Sequence, residues 1–234
     1  LSPAGIAMDV NKGPLEKAQE HIREEKLGGK IATRLGNGLA PLEPGETDTV
    51  IIAGMGGDLI CKILKAKPEF LIEGKEFILQ PQSEWFKIRR LLKEYRYQIE
   101  KEWFLKEDGK YYVIIKAEPA WTQPQRLKHQ QPSIHEYIKE ISDTQVNQAV
   151  SEKDMESIYE QYGKYLIETK NPVLKEYLEK EIVKKESIAA DLKLSIKEME
   201  SEELSGKERG NIAKRQRRYQ EIQKEIRDMR KAIG

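Results

Sequence analysis

Four short runs in the first third of the chain place polar or glycine residues directly behind apolar stretches. Asp9 follows Ile6-Ala7-Met8, and Gly36-Asn37-Gly38-Leu39 follows Ile31-Ala32-Thr33-Arg34-Leu35. Ala53-Gly54-Met55-Gly56-Gly57 follows Thr49-Val50-Ile51-Ile52, and Gln80-Pro81-Gln82 follows Phe77-Ile78-Leu79. A carboxylate at a strand end accepts hydrogen bonds from ligand hydroxyls; Asp9 is equally placed to cap the helix that follows. Asn37 carries an amide able to pair with a heterocycle, although Asn-Gly is also a common turn pair. Three glycines in four positions behind a buried strand imply close approach of the backbone to something, a ligand or another segment. Asp58 is better explained as a helix cap than as a reacting group, and no general base stands out. His21, His129 and His135 lack metal-ligand spacing, so no metal is expected. Trp85, Trp103 and Trp121 read as packing residues rather than stacking platforms.

The elements that must hold these residues alternate. Strands are expected at 6–8, 31–35, 49–53 and 77–80, and helices begin near Pro14, Asp58 and before Ile88. Gly28-Gly29 is expected to end the first helix. The strand at 49–53 is rich in β-branched residues and apolar on both faces, the pattern of a central parallel strand covered by helices on each side. Residues 98–105 and 111–117 flank Glu107-Asp108-Gly109-Lys110, an Asp-Gly hairpin signal. Such βα units closed by an antiparallel hairpin define a doubly wound α/β domain, in which ligands bind at the strand carboxyl ends. The strand ending in Asp9 opens the chain, so a strand that would precede it at the sheet centre is expected to lie in a segment N-terminal to the sequence.

The domain is expected to span 1–118, followed by a connector with short helices at 119–171. Residues 172–234 read as an antiparallel coiled-coil hairpin. Leu178, Ile182, Ala189, Leu192, Ile196 and Met199 recur at coiled-coil spacing in one arm, with Lys185 interrupting. Ile212, Tyr219, Ile222, Ile226, Met229 and Ile233 do so in the other, with Arg215 interrupting. The first arm (172–204) holds six Lys against nine Asp and Glu, a net −3. The second (205–234) holds ten Lys and Arg against four acids, a net +6. Opposite arms attract, and the surplus on the second leaves Lys214, Arg215, Arg217 and Arg218 suited to phosphates.

The whole chain of 234 residues has a net charge of only +1, which excludes a uniformly basic nucleic-acid binder. A single cysteine, Cys61, permits no internal disulfide and fits a reducing cytoplasm. No run approaches the roughly 20 apolar residues of a membrane span, so no membrane partner is expected. Nothing in the sequence sets an oligomeric state.

The Gly-Met-Gly-Gly run with its flanks resembles the bacterial tRNA (adenine-22-N1)-methyltransferase family. Arg34 to Leu39, Ile78 to Gln82, Glu107 to Tyr112 and Lys170-Asn171-Pro172-Val173-Leu174 are similar to it as well. The resemblance implies a Rossmann-like class I methyltransferase domain, here without its first strand, followed by a helical coiled coil. It implies S-adenosylmethionine (SAM) as methyl donor, tRNA as partner, and methylation of N1 of adenine 22. Carried over residue by residue, Asp9, Asn37, Gly38, Ala53, Gly54 and Met55 would hold SAM. Gly56, Gly57, Gln80 and Gln82 would face the adenine, with Lys214, Arg215, Arg217 and Arg218 on the tRNA backbone. The family usually has Asp where Asn37 stands and often Glu where Asp9 stands. The alternatives are a class I methyltransferase for another RNA or a protein, and a non-catalytic RNA-binding scaffold.

Overall fold

The computed structural model describes residues 5–43, 45–120, 150–200 and 206–234. Trp121, His129, His135 and most of the expected connector lie outside them. The chain divides into two compact units, Leu1–Lys101 with Ile114–Gln145, and Glu102–Val113 with Val146–Gly234.

In the first unit, β1 (Gly5–Asp9) leads through α1 (Lys12–Glu24) to β2 (Ile31–Leu35), and the two strands pair in parallel. Helix α1 ends four residues before Gly28. Lys26 takes a left-handed conformation (φ 56°), and the Leu27 amide returns to the Ile22 carbonyl at 2.8 Å, so a lysine closes this helix instead of a glycine. A second sheet has the order β3-β4-β6-β5, from β3 (Thr49–Met55), β4 (Glu76–Pro81), β5 (Tyr97–Glu107) and β6 (Lys110–Pro119). β3 and β4 run parallel, whereas β4 and β6 are antiparallel. Asp108 and Gly109 both have positive φ (47° and 76°), the two-residue turn expected from the Asp-Gly signal.

Among the described residues, β1 pairs only with β2, and β3 pairs only with β4 of its neighbours in sequence. Among the described residues β3 is thus an edge strand of its sheet, with one of its two faces covered. Val50 and Ile52 are buried on the side of α2 (Gly57–Lys65), while Ile51 is 68% exposed on the other. Helices α2, α3 (Pro68–Ile72) and α4 (Trp85–Glu94) supply Ile60, Leu64, Phe70, Leu71, Ile88 and Leu92, all fully buried. Phe77 and Leu79 of β4 and Ile115 of β6 meet them from the sheet, each such side chain stabilising the fold by about 1.5–3 kcal/mol. Across the outer strands Lys116 reaches Glu76, Glu100 and Glu118 at 3.0, 2.6 and 3.2 Å. Its ammonium occupies the point where the three carboxylates converge.

In the second unit, α5 (Val150–Tyr162) and α6 (Lys164–Glu168) are separated by Gly163 at φ 92°. Asn171 then caps α7 (Pro172–Glu200), its side chain accepting from the Val173 and Leu174 amides at 3.0 Å each. α8 (Gly206–Ile233) returns along α7, since Ser195 meets Arg215 while the earlier Lys185 and Glu186 meet the later Glu225 and Arg230. The two polar residues that interrupt the apolar seam are thus partnered, Lys185 by Glu225 and Arg215 by Ser195. Such pairs fix the alignment of two helices whose apolar contacts alone would tolerate sliding. Tyr111 meets Tyr177 of α7 edge-on and Phe104 meets it at a tilt, with centroids 5.0 and 5.5 Å apart. Beside them Glu176 takes Lys106 at 2.6 Å and Lys180 at 2.7 Å. These cations, Lys106 first, hold its carboxyl down at about 2.

Candidate active site at the strand carboxyl ends

Every candidate residue of the first unit lies at the carboxyl end of β1, β2, β3 or β4 or in the loop directly behind it. Asp9 ends β1. Its Oδ1 accepts from the Asn11 amide at 2.7 Å, and Asn11 is the cap of α1, so Asp9 braces the helix start from within the turn. Asn37 is exposed, and its carbonyl accepts from Ala40 at 3.1 Å. The glycines on either side of it have structural reasons. A Cβ on Gly36 would strike Pro41 at 2.1 Å. Gly38 has φ +55°, and a Cβ there would meet Ile63 of α2 at 2.8 Å. The turn behind β2 is thereby seated on α2.

The β3–α2 and β4–α4 loops are laced together. The Gly54 amide donates to Oε1 of Gln80 at 2.8 Å, and the Gln82 amide donates to the Met55 carbonyl at 2.8 Å. The Gly57 amide donates to the Ser83 carbonyl at 3.0 Å, and the Asp58 amide to Oε2 of Glu84 at 3.1 Å. The three glycines serve different ends. Gly54 has φ +77° with open space where a side chain would stand, so it is glycine for its backbone conformation. Gly57 is glycine for contact: a Cβ would sit 2.6 Å from the Ser83 oxygen and 2.7 Å from that of Glu84. Gly56 lies at 3.2 Å from Ser83 Oγ by the same measure.

Asp58 is not a helix cap. Gly56 occupies the cap position of α2, and the Asp58 carboxylate instead pairs with Lys62 at 2.8 Å and Lys87 at 3.0 Å. Those two ammonium groups, Lys62 first, lower its pKa. Glu84 is lowered chiefly by Lys87, which stands 2.5 Å from its Oε1. Ser83, Glu84 and Lys87 were not singled out from sequence; Ser83 and Glu84 stand immediately ahead of the amphipathic run at 85–92, and Lys87 lies in its first turn.

The Gln80 amide is oriented by its bond to Gly54. Its Nε2 is buried and has no hydrogen-bond partner among the described residues, a departure from the rule that buried donors are paired. The structure thus joins Gly54 with Gln80 and Met55 with Gln82. Among the described residues, Asp9 and Asn37 make no hydrogen bond to either of those loops. Lys214, Arg215, Arg217 and Arg218 lie on α8 in the second unit. Arg215 bonds Ser195, and Arg218 pairs with Glu221 and Glu225. Lys214 and Arg217 are exposed and form no ion pair among the described residues.

Parallel strands joined through helices, with glycine-rich loops at their carboxyl ends and an antiparallel hairpin at the edge, are the frame of the Rossmann-like, SAM-dependent methyltransferases. The profile of the family described as tRNA (adenine(22)-N(1))-methyltransferase matches residues 1–161. The Bacillus subtilis (strain 168) tRNA (adenine(22)-N(1))-methyltransferase is 33% identical over 174 residues, covering 61% of this chain and 72% of that protein. The crystal structure of the B. subtilis m1A22 tRNA methyltransferase shares the fold with a TM-score of 0.66 at 23% identity, over 99% of this chain and 82% of that one. Streptococcus pneumoniae Sp1610 in complex with S-adenosyl-L-methionine does so at 0.65 and 24%, over 99% and 81%. The chain belongs to the tRNA (adenine(22)-N(1))-methyltransferase family. It is a SAM-dependent enzyme of tRNA modification, and no helix among its described residues is long and apolar enough to cross a membrane.

Proposed function

We propose that this chain methylates N1 of adenine 22 of tRNA in the cytoplasm, using the strand-end loops of its first unit. Asp9, Asn37, Gly38, Ala53, Gly54 and Met55 form the cofactor side, and Gly56, Gly57, Gln80 and Gln82 the adenine side. The residues fit SAM chemically. Asp9 Oδ1 is engaged by Asn11, which leaves Oδ2 for a ribose hydroxyl, and the exposed Asn37 amide is complementary to an adenine edge. The space beside Gly54 admits a ligand against bare backbone.

SAM, when bound, supplies a methyl group already electrophilic on a sulfonium. The remaining work falls to the protein and is positional. N1 of adenine carries an in-plane lone pair on the Watson-Crick edge, so the base must be unpaired and turned out of its stack. Gln80 carries this reading: its Oε1 is fixed by Gly54 and its buried Nε2 lacks a partner among the described residues. An extruded adenine supplies acceptors for that donor. Methylation makes the ring cationic, and the carbonyls of Ala53 to Met55 offer partial negative charge beside it.

Of the four candidate cations on α8, Lys214 and Arg217 have no ion-pair partner among the described residues and suit tRNA phosphates, whereas Arg215 and Arg218 are committed in part within the chain. Calorimetric titration with SAM tests the cofactor side. Saturable binding that weakens at least tenfold in Asp9→Ala is expected; unchanged binding in that variant contradicts the assignment.

A further inference from the structure

Among the described residues, five non-glycine residues have positive φ: Lys26, Glu84, Arg96, Asp108 and Lys170. Four are accounted for by position. Lys26, Arg96 and Lys170 follow the ends of α1, α4 and α6, and Asp108 makes the hairpin turn. Glu84 alone precedes a helix. It occupies the cap position of α4 at φ 53°, ψ 41°, where an extended backbone and a short polar side chain are the rule. It gives α4 no side-chain cap. Its carboxylate reaches the neighbouring helix instead, Oε2 accepting from the Asp58 amide in the first turn of α2. Lys87 ties Oε1 of Glu84 to Oδ1 of Asp58, and the Lys87 amide donates to the Glu84 carbonyl at 2.9 Å. An unfavourable backbone conformation is thus retained at the end of the lacing that joins the two site loops, where strain commonly serves function. The tight seat of the Ser83 and Glu84 carbonyls on Gly57 leaves the loop little other room.

We propose that Glu84 is a positioning residue for methyl transfer. Acting through the Asp58 amide and the Ser83–Gly57 bond, it fixes the β4–α4 loop on the β3–α2 loop. It thereby sets the spacing between Gln80 and Gln82 on one side and the Gly54–Met55 backbone on the other. This rests on the adenine-side reading above. It accounts for a carboxylate held away from its own helix, and it assigns Glu84 to the geometry of the acceptor base rather than to SAM affinity.

The test compares Glu84→Ala with Glu84→Gln, whose amide oxygen still accepts from the Asp58 amide. Two measurements are made: steady-state methylation of unmodified tRNA, and amide hydrogen exchange. In Glu84→Ala, kcat falls at least tenfold while KM for SAM stays within twofold, and Gly54, Gly57 and Asp58 exchange faster. Glu84→Gln restores kcat to within about threefold of wild type and slows exchange again. An unchanged kcat in Glu84→Ala overturns the proposal. So does a parallel loss of SAM binding and thermal stability, the mark of a merely structural role. If the wild-type chain forms no 1-methyladenosine, the functional reading fails separately. Exchange then decides the latch, which unchanged rates in Glu84→Ala would overturn.

Discussion

The backbone amide of Gly54 and the side-chain oxygen of Gln80 are 2.8 Å apart, and this bond joins the ends of two adjacent parallel strands. It orients one amide so that its oxygen holds a left-handed glycine, while its nitrogen is buried with no hydrogen-bond partner among the described residues. The two ends are separable by substitution. Gln80→Glu keeps an acceptor for Gly54 and loses the donor, so kcat falls by about 10- to 100-fold while SAM affinity holds within twofold. Gln80→Ala removes both, and SAM affinity falls as well. Equal effects of the two substitutions on SAM binding would show that the bond to Gly54 has no separate role in holding the cofactor.

Gly57 is set by contact and not by backbone angle, since its Cβ would overlap the Ser83 and Glu84 carbonyl oxygens. Gly57→Ala forces the β4–α4 loop away and destabilises the protein by about 1–3 kcal/mol, as overpacking of a fitted contact does. Gly54→Ala fails for a different reason, the positive φ at a position with free space. Thermal unfolding of both variants, with exchange at Gly57, distinguishes them: the Ser83 bond is lost only in the first.

Much of this arrangement was legible in the residues. Asp108-Gly109 announced the hairpin because only a few residue types accept two successive positive φ angles. The glycine run announced a close approach, but its partner was not readable. The segment nearest Gly57 is the Ser83–Glu84 backbone, and carbonyl positions leave no trace in side-chain pattern. The end of α1 was misplaced for a related reason, because Lys26 bears the left-handed turn that Gly28 seemed to offer. Likewise the apolar run Val50-Ile51-Ile52 could not report that Ile51 faces outward, since periodicity is silent when every position is apolar.

Acid should weaken the second unit through Glu176. Its ordinary pKa of 4.5 falls to about 2 in the fold, chiefly through Lys106 and then Lys180. A depressed carboxyl pKa adds stability that is complete above about 4.5 and is lost as pH falls toward about 2. Denaturant unfolding followed by helical circular dichroism therefore shows Glu176→Gln less stable than wild type at pH 7, with the two converging near pH 2. A constant difference between them across that range would contradict the assignment.

The charge on α8 makes a separate claim. Reversing Lys214 and Arg217, which have no ion-pair partner among the described residues, weakens tRNA binding. It also lowers the slope of log affinity against log salt by about one for each phosphate no longer neutralised. Reversing Arg218, already paired with Glu221 and Glu225, has the smaller effect on tRNA. An unchanged affinity in the first variant would make the helix pair an internal scaffold only.

The most direct measurement is nucleoside mass spectrometry on unmodified tRNA incubated with this protein and isotopically labelled SAM. Labelled 1-methyladenosine, absent when adenine 22 is replaced by another base, is the predicted result. Label in any other nucleoside, or 1-methyladenosine that persists without adenine 22, would contradict the account.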